Sequence, residues 1–202
     1  MSSPAAVAPA GRKVGLLFGS FNPIHVGHLI LANFMATQTD LDEVWLVVSP
    51  QSPFKVGQEL LPESDRLLLV ELAIAGNNRL RAVDIEFGLP KPSYTIATLD
   101  ELRRQYPEQQ FVLLMGGDNL PGLPRWKEAD RLLSEYQVYV YPRPGTALPD
   151  VAHLSKIEVV EAPMLDISAT FIRACVQQGK SIRYLVPDAV EQQIVTAGYW
   201  QE

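Results

Sequence analysis

The chain has 202 residues, 47% of them hydrophobic, and a formal net charge of −6. That length and apolar content suit one domain with an ample core, and no apolar run reaches transmembrane length. The acidic balance argues against a general nucleic-acid binder, and a single cysteine, Cys175, excludes an internal disulfide and fits the cytoplasm. Residues 1–12 predict a disordered tail rather than a signal peptide, because the basic pair Arg12-Lys13 follows the apolar residues instead of preceding them.

Apolar runs that are typical of buried strands alternate with helical patterns along the rest of the chain. The predicted strands are Val14–Phe18, Val44–Val48, Leu80–Glu86, Phe111–Met115, Gln137–Tyr141 and Ile157–Glu161. The predicted helices are Leu29–Thr39, Glu63–Ala75, Tyr94–Gln105 with Ser93 as its cap, Trp126–Glu135, Ser168–Gln178 and Pro187–Ala197. This alternation predicts an α/β fold with a doubly wound parallel sheet. Residues 13–202 are expected to form one domain, in which residues 182–202 make a small C-terminal helical part.

In such sheets, ligands bind beyond the carboxyl ends of the strands, where the strand order switches. Three loops are therefore expected at the site: Gly19–His28 after the first strand, Ser49–Lys55 after the second, and Gly116–Asp118 after the fourth.

The first of these loops runs Gly-Ser-Phe-Asn-Pro-Ile-His-Val-Gly-His from a strand into a helix. Gly19 lets the backbone approach an anion closely, and the helix start offers free N–H groups with a partial positive charge. His25 and His28 share one face of the first turn, and Gly27 keeps the surface between them low. The pattern is neither a Walker A loop nor a dinucleotide fingerprint. Half of a zinc site is the alternative, but His153 and Cys175 form no second ligand pair; ordinary helix-start histidines are another.

Near the other end of the chain, Ile167-Ser168-Ala169-Thr170-Phe171-Ile172-Arg173 opens a predicted helix. Hydroxyls, free N–H groups and a guanidinium together make a clamp suited to a polyphosphate. A plain capped helix with an exposed arginine is the alternative interpretation.

The His-Val-Gly-His run resembles the signature of the nucleotidyltransferase superfamily, and its longer context is similar to adenylyltransferases of cofactor synthesis. The Ile167–Arg173 run resembles a second element of the same enzymes. Together with Ser93–Ile96, Gly116–Asp118, Trp126, Arg143–Gly145 and Val186–Val190, these motifs make the chain similar to bacterial nicotinate-nucleotide adenylyltransferases. The resemblance implies a Rossmann-like nucleotidyltransferase fold and transfer of AMP from ATP to nicotinate mononucleotide in NAD biosynthesis. The products would be deamido-NAD and pyrophosphate, with Mg²⁺ held mainly by the ATP phosphates and not by a protein metal site.

The resemblance also implies roles for individual residues. The ATP-binding set is Gly19, Ser20, Phe21, His25, His28, Gly116, Asp118, Ile167, Ser168, Thr170 and Arg173, of which His25, His28 and Arg173 would be catalytic. The mononucleotide-binding set is Asn22, Lys55, Tyr94, Thr95, Trp126 and Arg143. From the residues alone, Trp126 also fits a core position, Asp118 an ordinary turn, Tyr94 and Thr95 a helix cap and the core, and Lys55 and Arg143 solvated charges. Three residues depart from the family pattern: Asn22 and Ala97 where Asp is usual, and Phe54 where His is usual.

Other functions remain open at this point. One is adenylyl transfer to nicotinamide mononucleotide, phosphopantetheine or a similar phosphate ester. Another is a non-catalytic sensor of nucleotides, and a third is a fragment related to aminoacyl-tRNA synthetases. All but the third predict small-molecule partners and neither nucleic acid nor membrane. The chain shows no Ser-His-Asp or Cys-His set, so no covalent intermediate is expected.

Overall fold

A six-stranded parallel sheet forms the centre of the computed structural model, which describes residues 11–50, 60–143, 151 and 154–201. The strands are β1 (Lys13–Gly19), β2 (Glu43–Val48), β3 (Leu80–Val83), β4 (Gln110–Gly116), β5 (Gln137–Tyr141) and β6 (Ile157–Val159). They lie in the order β3-β2-β1-β4-β5-β6, and every neighbouring pair is parallel. The predicted doubly wound α/β sheet is therefore confirmed.

Helices cover both faces of this sheet. They are α1 (Val26–Gln38), α2 (Glu63–Ile74), α3 (Thr95–Gln105), α4 (Ala129–Glu135), α5 (Ala169–Gln177) and α6 (Asp188–Ala197). Successive residues of a strand face opposite sides, so Leu17 packs in the cluster with α1, α2, α5 and α6, whereas Leu16 packs in the cluster with α3 and α4. Burial on both faces explains why the strands are almost continuously apolar.

The predicted strand Leu80–Glu86 is too long. β3 ends at Val83, and Ile85–Gly88 form a turn of 3-10 helix. The turn carries the Glu86 carboxylate inward, where its Oε1 accepts a hydrogen bond of 2.7 Å from the Thr98 hydroxyl on α3. The strand therefore ends early, although the alternating pattern continues for three more residues.

The predicted helix Trp126–Glu135 starts three residues too early. Gly117–Arg125 form a 3-10 helix, Trp126 follows it, and α4 begins only at Ala129. Glu128 at its N-cap has a left-handed backbone with φ of 54°, which an α-helix cannot pass through. The predicted cap by Ser93 is also wrong: Tyr94 is the N-cap of α3, and the buried Ser93 hydroxyl lies near the Glu86 carboxylate instead.

The C-terminal helix packs onto the same core as the start of the chain. Val190 and Ile194 of α6 are wholly buried in the cluster that contains Leu17, and the Val26 amide donates to the Leu185 carbonyl at 2.9 Å. The division into a tail, one domain and a helical part stays a prediction; most of the predicted tail lies outside the described residues, as do Phe54, Lys55 and His153. Within the described part, no helix is long and apolar enough to cross a membrane.

Candidate active site

The strand order switches direction between β1 and β4, and the loops that follow them meet at the carboxyl edge of the sheet. Leu17 of β1 lies beside Leu114 of β4, while Gly19 lies beside Val48 at the end of β2. A crevice at such a switch is where open parallel sheets bind ligands. The structure thus brings together the loops after β1 and β4, as the sequence predicts, and the start of the loop after β2.

The loop after β1 turns sharply inward at Phe21. This residue has a left-handed φ of 44°, and its buried ring lies over Gly19. A Cβ atom on Gly19 would come within 2.8 Å of that ring, so only glycine leaves room for it. The ring also meets His28 edge-on, with centroids 5.1 Å apart. The Phe21 ring therefore packs between Gly19 and the His28 ring and holds that ring in place.

His25 and His28 form a stacked pair at the start of α1. Their ring centroids are 3.7 Å apart with an interplanar angle of 28°. Gly27 leaves room for the His25 ring, because a Cβ there would lie 3.1 Å from Nδ1 of His25 and 3.2 Å from its Cε1. A larger residue would therefore press on the ring, a constraint that the sequence alone did not reveal.

One hydrogen bond defines the donor of His28, and burial keeps the His25 ring neutral. Nδ1 of His28 accepts from the His25 backbone amide at 3.3 Å, which leaves the proton of the neutral ring on Nε2. Burial, helped by the positive charge of Arg143, lowers the pKa of His25 from 6.5 to about 4. At neutral pH, His25 is therefore an uncharged hydrogen-bonding group, and His28 presents an N–H.

The second predicted anion-binding element lies directly against this loop. Nη1 of Arg173 on α5 donates to the Asn22 carbonyl at 2.8 Å, and its Nη2 donates to the Thr170 hydroxyl at 3.3 Å. Ser168 is the N-cap of α5, where its Oγ accepts from the Phe171 amide at 3.2 Å. Ile167 immediately precedes this cap and packs against the main core. Two motifs from opposite ends of the sequence therefore meet at one face of the molecule.

Asn22 holds this loop in place through its side chain as well as its backbone. Its Oδ1 accepts from the Leu61 amide at 3.1 Å, and the residue is almost wholly buried. An aspartate offers the same acceptor, so the departure from the family pattern at this position keeps the contact.

A cavity of about 340 Å³ opens beside the loop, between the ends of β1 and β4 and the start of α3. Trp126 and Tyr94 supply aromatic surface, and Lys127 lies 4.8 Å from the centre of the Tyr94 ring. Trp126 is half-buried and also packs on the core, so both interpretations of this residue hold in part. Eight predicted site residues line the cavity: Gly19, Ser20, Tyr94, Thr95, Gly116, Asp118, Trp126 and Arg143.

Arg143 and Asp118 form an ion pair beside the C-terminal end of β4, with Nε of Arg143 3.3 Å from Oδ1 of Asp118. A Cβ on Gly116 would lie 2.5 Å from that carboxylate oxygen and 2.9 Å from the arginine Nε. Glycine at this position therefore leaves room for the ion pair next to the end of the strand. Arg143 lines the cavity and also acts on His25 electrostatically, which connects the cavity with the histidine pair.

Two buried charged residues were missed by the sequence interpretation. Glu86 lines the cavity, and burial raises its pKa although nearby hydroxyls oppose this. Arg66 on α2 is wholly buried and contacts the loops after β1 and β2. The sequence held one signal for Arg66: it lies three and four residues before Leu69 and Val70, on the apolar face of its helix.

No group of three or more His, Cys, Asp or Glu side chains that could hold a metal occurs in the part of the chain that is described. Cys175 is buried on α5 in the main core.

The family of the chain follows from comparison with known proteins. A family model described as Cytidylyltransferase-like matches residues 16–175, and the chain belongs to that nucleotidyltransferase family. Among its curated relatives, a protein of Cytophaga hutchinsonii is 54% identical over 188 residues, which cover 93% of this chain and 98% of the relative. One of Bacteroides fragilis is 47% identical over 186 residues, covering 92% of each. Both are named "Probable nicotinate-nucleotide adenylyltransferase", and the resemblance to that family is confirmed.

The fold also matches solved structures. A Plasmodium falciparum nicotinic acid mononucleotide adenylyltransferase complexed with NaAD superposes with a TM-score of 0.79 at 16% identity, covering 94% of this chain and 97% of that one. At this identity the likeness concerns the fold, which is Rossmann-like as predicted.

Proposed function

We propose that the protein transfers AMP from ATP to nicotinate mononucleotide, releasing pyrophosphate and forming deamido-NAD in NAD biosynthesis. The observation that carries the proposal is the contact between the two anion-binding elements, Arg173 Nη1 to the Asn22 carbonyl at 2.8 Å, beside a cavity with aromatic walls. The names of the curated relatives support the same reaction. The proposal includes a cytoplasmic location, which the single cysteine fits.

In the proposed reaction, the phosphate of the mononucleotide attacks the α-phosphorus of ATP directly and displaces pyrophosphate. The attacking group is already an anion, so no protein base is needed. The chain has to hold two anions together and stabilise charge on the leaving group. His28 donates from Nε2, His25 contributes a neutral ring, and Arg173 and the hydroxyls of Ser168 and Thr170 contact the polyphosphate.

The acceptor occupies the cavity. Its pyridine ring packs against Trp126 and Tyr94, and Thr95 at the start of α3 offers a hydroxyl and a backbone amide. Arg143, partly neutralised by Asp118, faces the acceptor phosphate. Lys55, which lies outside the described residues, remains a proposed second contact to that phosphate.

Mg²⁺ is proposed as the cofactor, bound mainly through the ATP phosphates. The donor set fits this arrangement: of the two described carboxylates that line the cavity, Glu86 is buried and Asp118 is exposed, and Mg²⁺ commonly uses one or two carboxylates with substrate phosphates. When bound, the ion would neutralise charge on the phosphates that leave.

The test is pyrophosphate release with ATP and a panel of acceptors: nicotinate mononucleotide, nicotinamide mononucleotide and phosphopantetheine. We expect turnover to be fastest with nicotinate mononucleotide. A clear preference for another acceptor would overturn the assigned substrate but keep the reaction. Tight nucleotide binding without pyrophosphate release from any acceptor would identify a non-catalytic sensor instead.

A further inference from the structure

Arg66 carries a positive charge that is buried inside the protein, and no acidic side chain among the described residues is in contact with it. Its exposed fraction is 0%, and among the described residues no carboxylate lies within ion-pair distance of it. Glu63, one turn earlier on α2, raises the pKa of Arg66 through its charge, whereas burial, the larger effect, lowers it. A buried cation is costly unless its donors are satisfied, so its partners reveal what it is for.

Those partners are four backbone carbonyls from three segments around the site. Nε donates to the Leu61 carbonyl at 3.0 Å, and Nη1 donates to the carbonyls of Ser20 at 2.6 Å and Ser49 at 2.7 Å. Nη2 donates to the Pro50 carbonyl at 3.2 Å. A guanidinium has five N–H donors in a rigid plane, and four of them are used here. The loop after β1, the residues that directly follow β2 and a residue just before α2 are thus bonded to one planar group.

The same group is joined to the second anion-binding element. Leu61, whose carbonyl Arg66 binds, donates its amide to the Asn22 side chain at 3.1 Å. The Asn22 carbonyl in turn accepts from Arg173. Two arginines therefore hold the loop after β1, with Arg173 reaching it from α5 and Arg66 reaching it from the buried face of α2.

We propose that Arg66 is a positioning residue, which sets the spacing between the loop that carries His25 and His28 and the end of β2 at Ser49 and Pro50. This inference rests on the proposed function, because that spacing matters only if ATP and the acceptor must meet in line. Errors of about 1 Å in such an arrangement reduce rates by about 100-fold. The buried charge also lies beside the Ser20 carbonyl, in the loop that leads to the two histidines.

The experiment compares Arg66→Lys with Arg79→Lys. A lysine at position 66 keeps the charge but loses the planar fork, so it cannot reach all three segments. Arg79 also donates to a carbonyl, that of Ala36 at 2.8 Å. However, Arg79 is exposed, and it contacts the C-terminal end of α1, whereas the histidine pair lies at the N-terminal end. Steady-state kinetics are measured well below each melting temperature, and ATP binding is measured by calorimetry.

We expect Arg66→Lys to lower kcat by about 100-fold, with smaller changes in either KM, while Arg79→Lys leaves kcat unchanged. An Arg66→Lys variant that loses melting temperature but keeps kcat would show a purely structural role and overturn the inference alone. A wild-type protein that releases no pyrophosphate with any acceptor would overturn the proposed function and this inference together. Arg66→Met, which lacks the charge as well, is expected to weaken ATP binding further; if it does not fold, the lysine variant decides.

Discussion

The stacked histidines show how burial and one hydrogen bond determine the chemistry of a side chain. Two charged imidazoles 3.7 Å apart would repel each other strongly, and the low pKa of His25 avoids this at neutral pH. The amide of His25 fixes the tautomer of His28. His28 can therefore approach a triphosphate as a hydrogen-bond donor with a fixed direction, which needs no reorganisation when charge develops, with His25 as an uncharged ring beside it.

His28→Ala should lower the rate of adenylyl transfer by about 100-fold or more, because removing one fixed donor to a developing charge costs that much. The measurement is kcat from pyrophosphate release, with folding checked by circular dichroism. Gln38→Ala, at the exposed far end of the same helix, is the matched control and should retain full activity. Near-normal turnover in the His28 variant would remove this residue from the mechanism.

The low pKa of His25 predicts a specific loss of stability in acid. Below pH 6.5 the unfolded chain binds a proton at His25, whereas the folded protein binds it only near pH 4. The free energy of unfolding therefore falls as pH drops between these values, by up to about 3 kcal/mol from this group.

Urea unfolding of wild type and His25→Gln at several pH values isolates the contribution of His25. Carboxyl groups titrate equally in both proteins, so their effects cancel in the difference. We expect the variant to gain stability relative to wild type as pH falls from 7 towards 4. Parallel pH profiles for the two proteins would contradict the buried, neutral state of His25.

At the scale of elements, the sequence predicts most helices and strands within one to three residues, because the apolar runs and helical periodicity are strong. It does not predict the two 3-10 segments; in the first, Glu86 is bonded to the Thr98 hydroxyl of α3, a contact between elements that the local pattern does not show. The same limit applies to the site. Motif residues are visible in the sequence, but Arg66 acts through backbone carbonyls of distant segments, which carry no residue signature.

Gly27→Ala, in the first turn of α1, should lower the activity of the protein without lowering its stability. Alanine favours a helix by about 1 kcal/mol over glycine, but its Cβ would press on the His25 ring at 3.1 Å. We expect an unchanged or higher melting temperature together with a kcat lowered by about 10-fold, since the ring must shift by less than 1 Å. Gly88→Ala is the control, because a Cβ there meets nothing within 4 Å. Full activity of Gly27→Ala would mean that the ring position is not critical.

Across the whole molecule, the negative net charge and the anionic substrates are reconciled by where the positive charges lie. Arg66, Arg143 and Arg173 all contact or face the loop after β1, whereas several acidic residues pair with arginines on the outer faces of α3 and α4. Local charge at the site, and not the overall balance, therefore decides which ligands bind.

The shared core predicts that the described elements unfold together, with α6 as an integral part. Ile194 is wholly buried in the cluster that contains β1 and α1, whereas Val195, the next residue, is 60% exposed. Ile194→Ala should reduce the free energy of unfolding by about 2–5 kcal/mol, and Val195→Ala should change it little. Circular dichroism and tryptophan fluorescence should report one coincident transition in both variants. Two separate transitions would contradict this prediction, as would a loss of stability in Ile194→Ala that is confined to one of them. Either result would show that the C-terminal helical part folds independently and that the sheet does not need its contacts with α1 and β1.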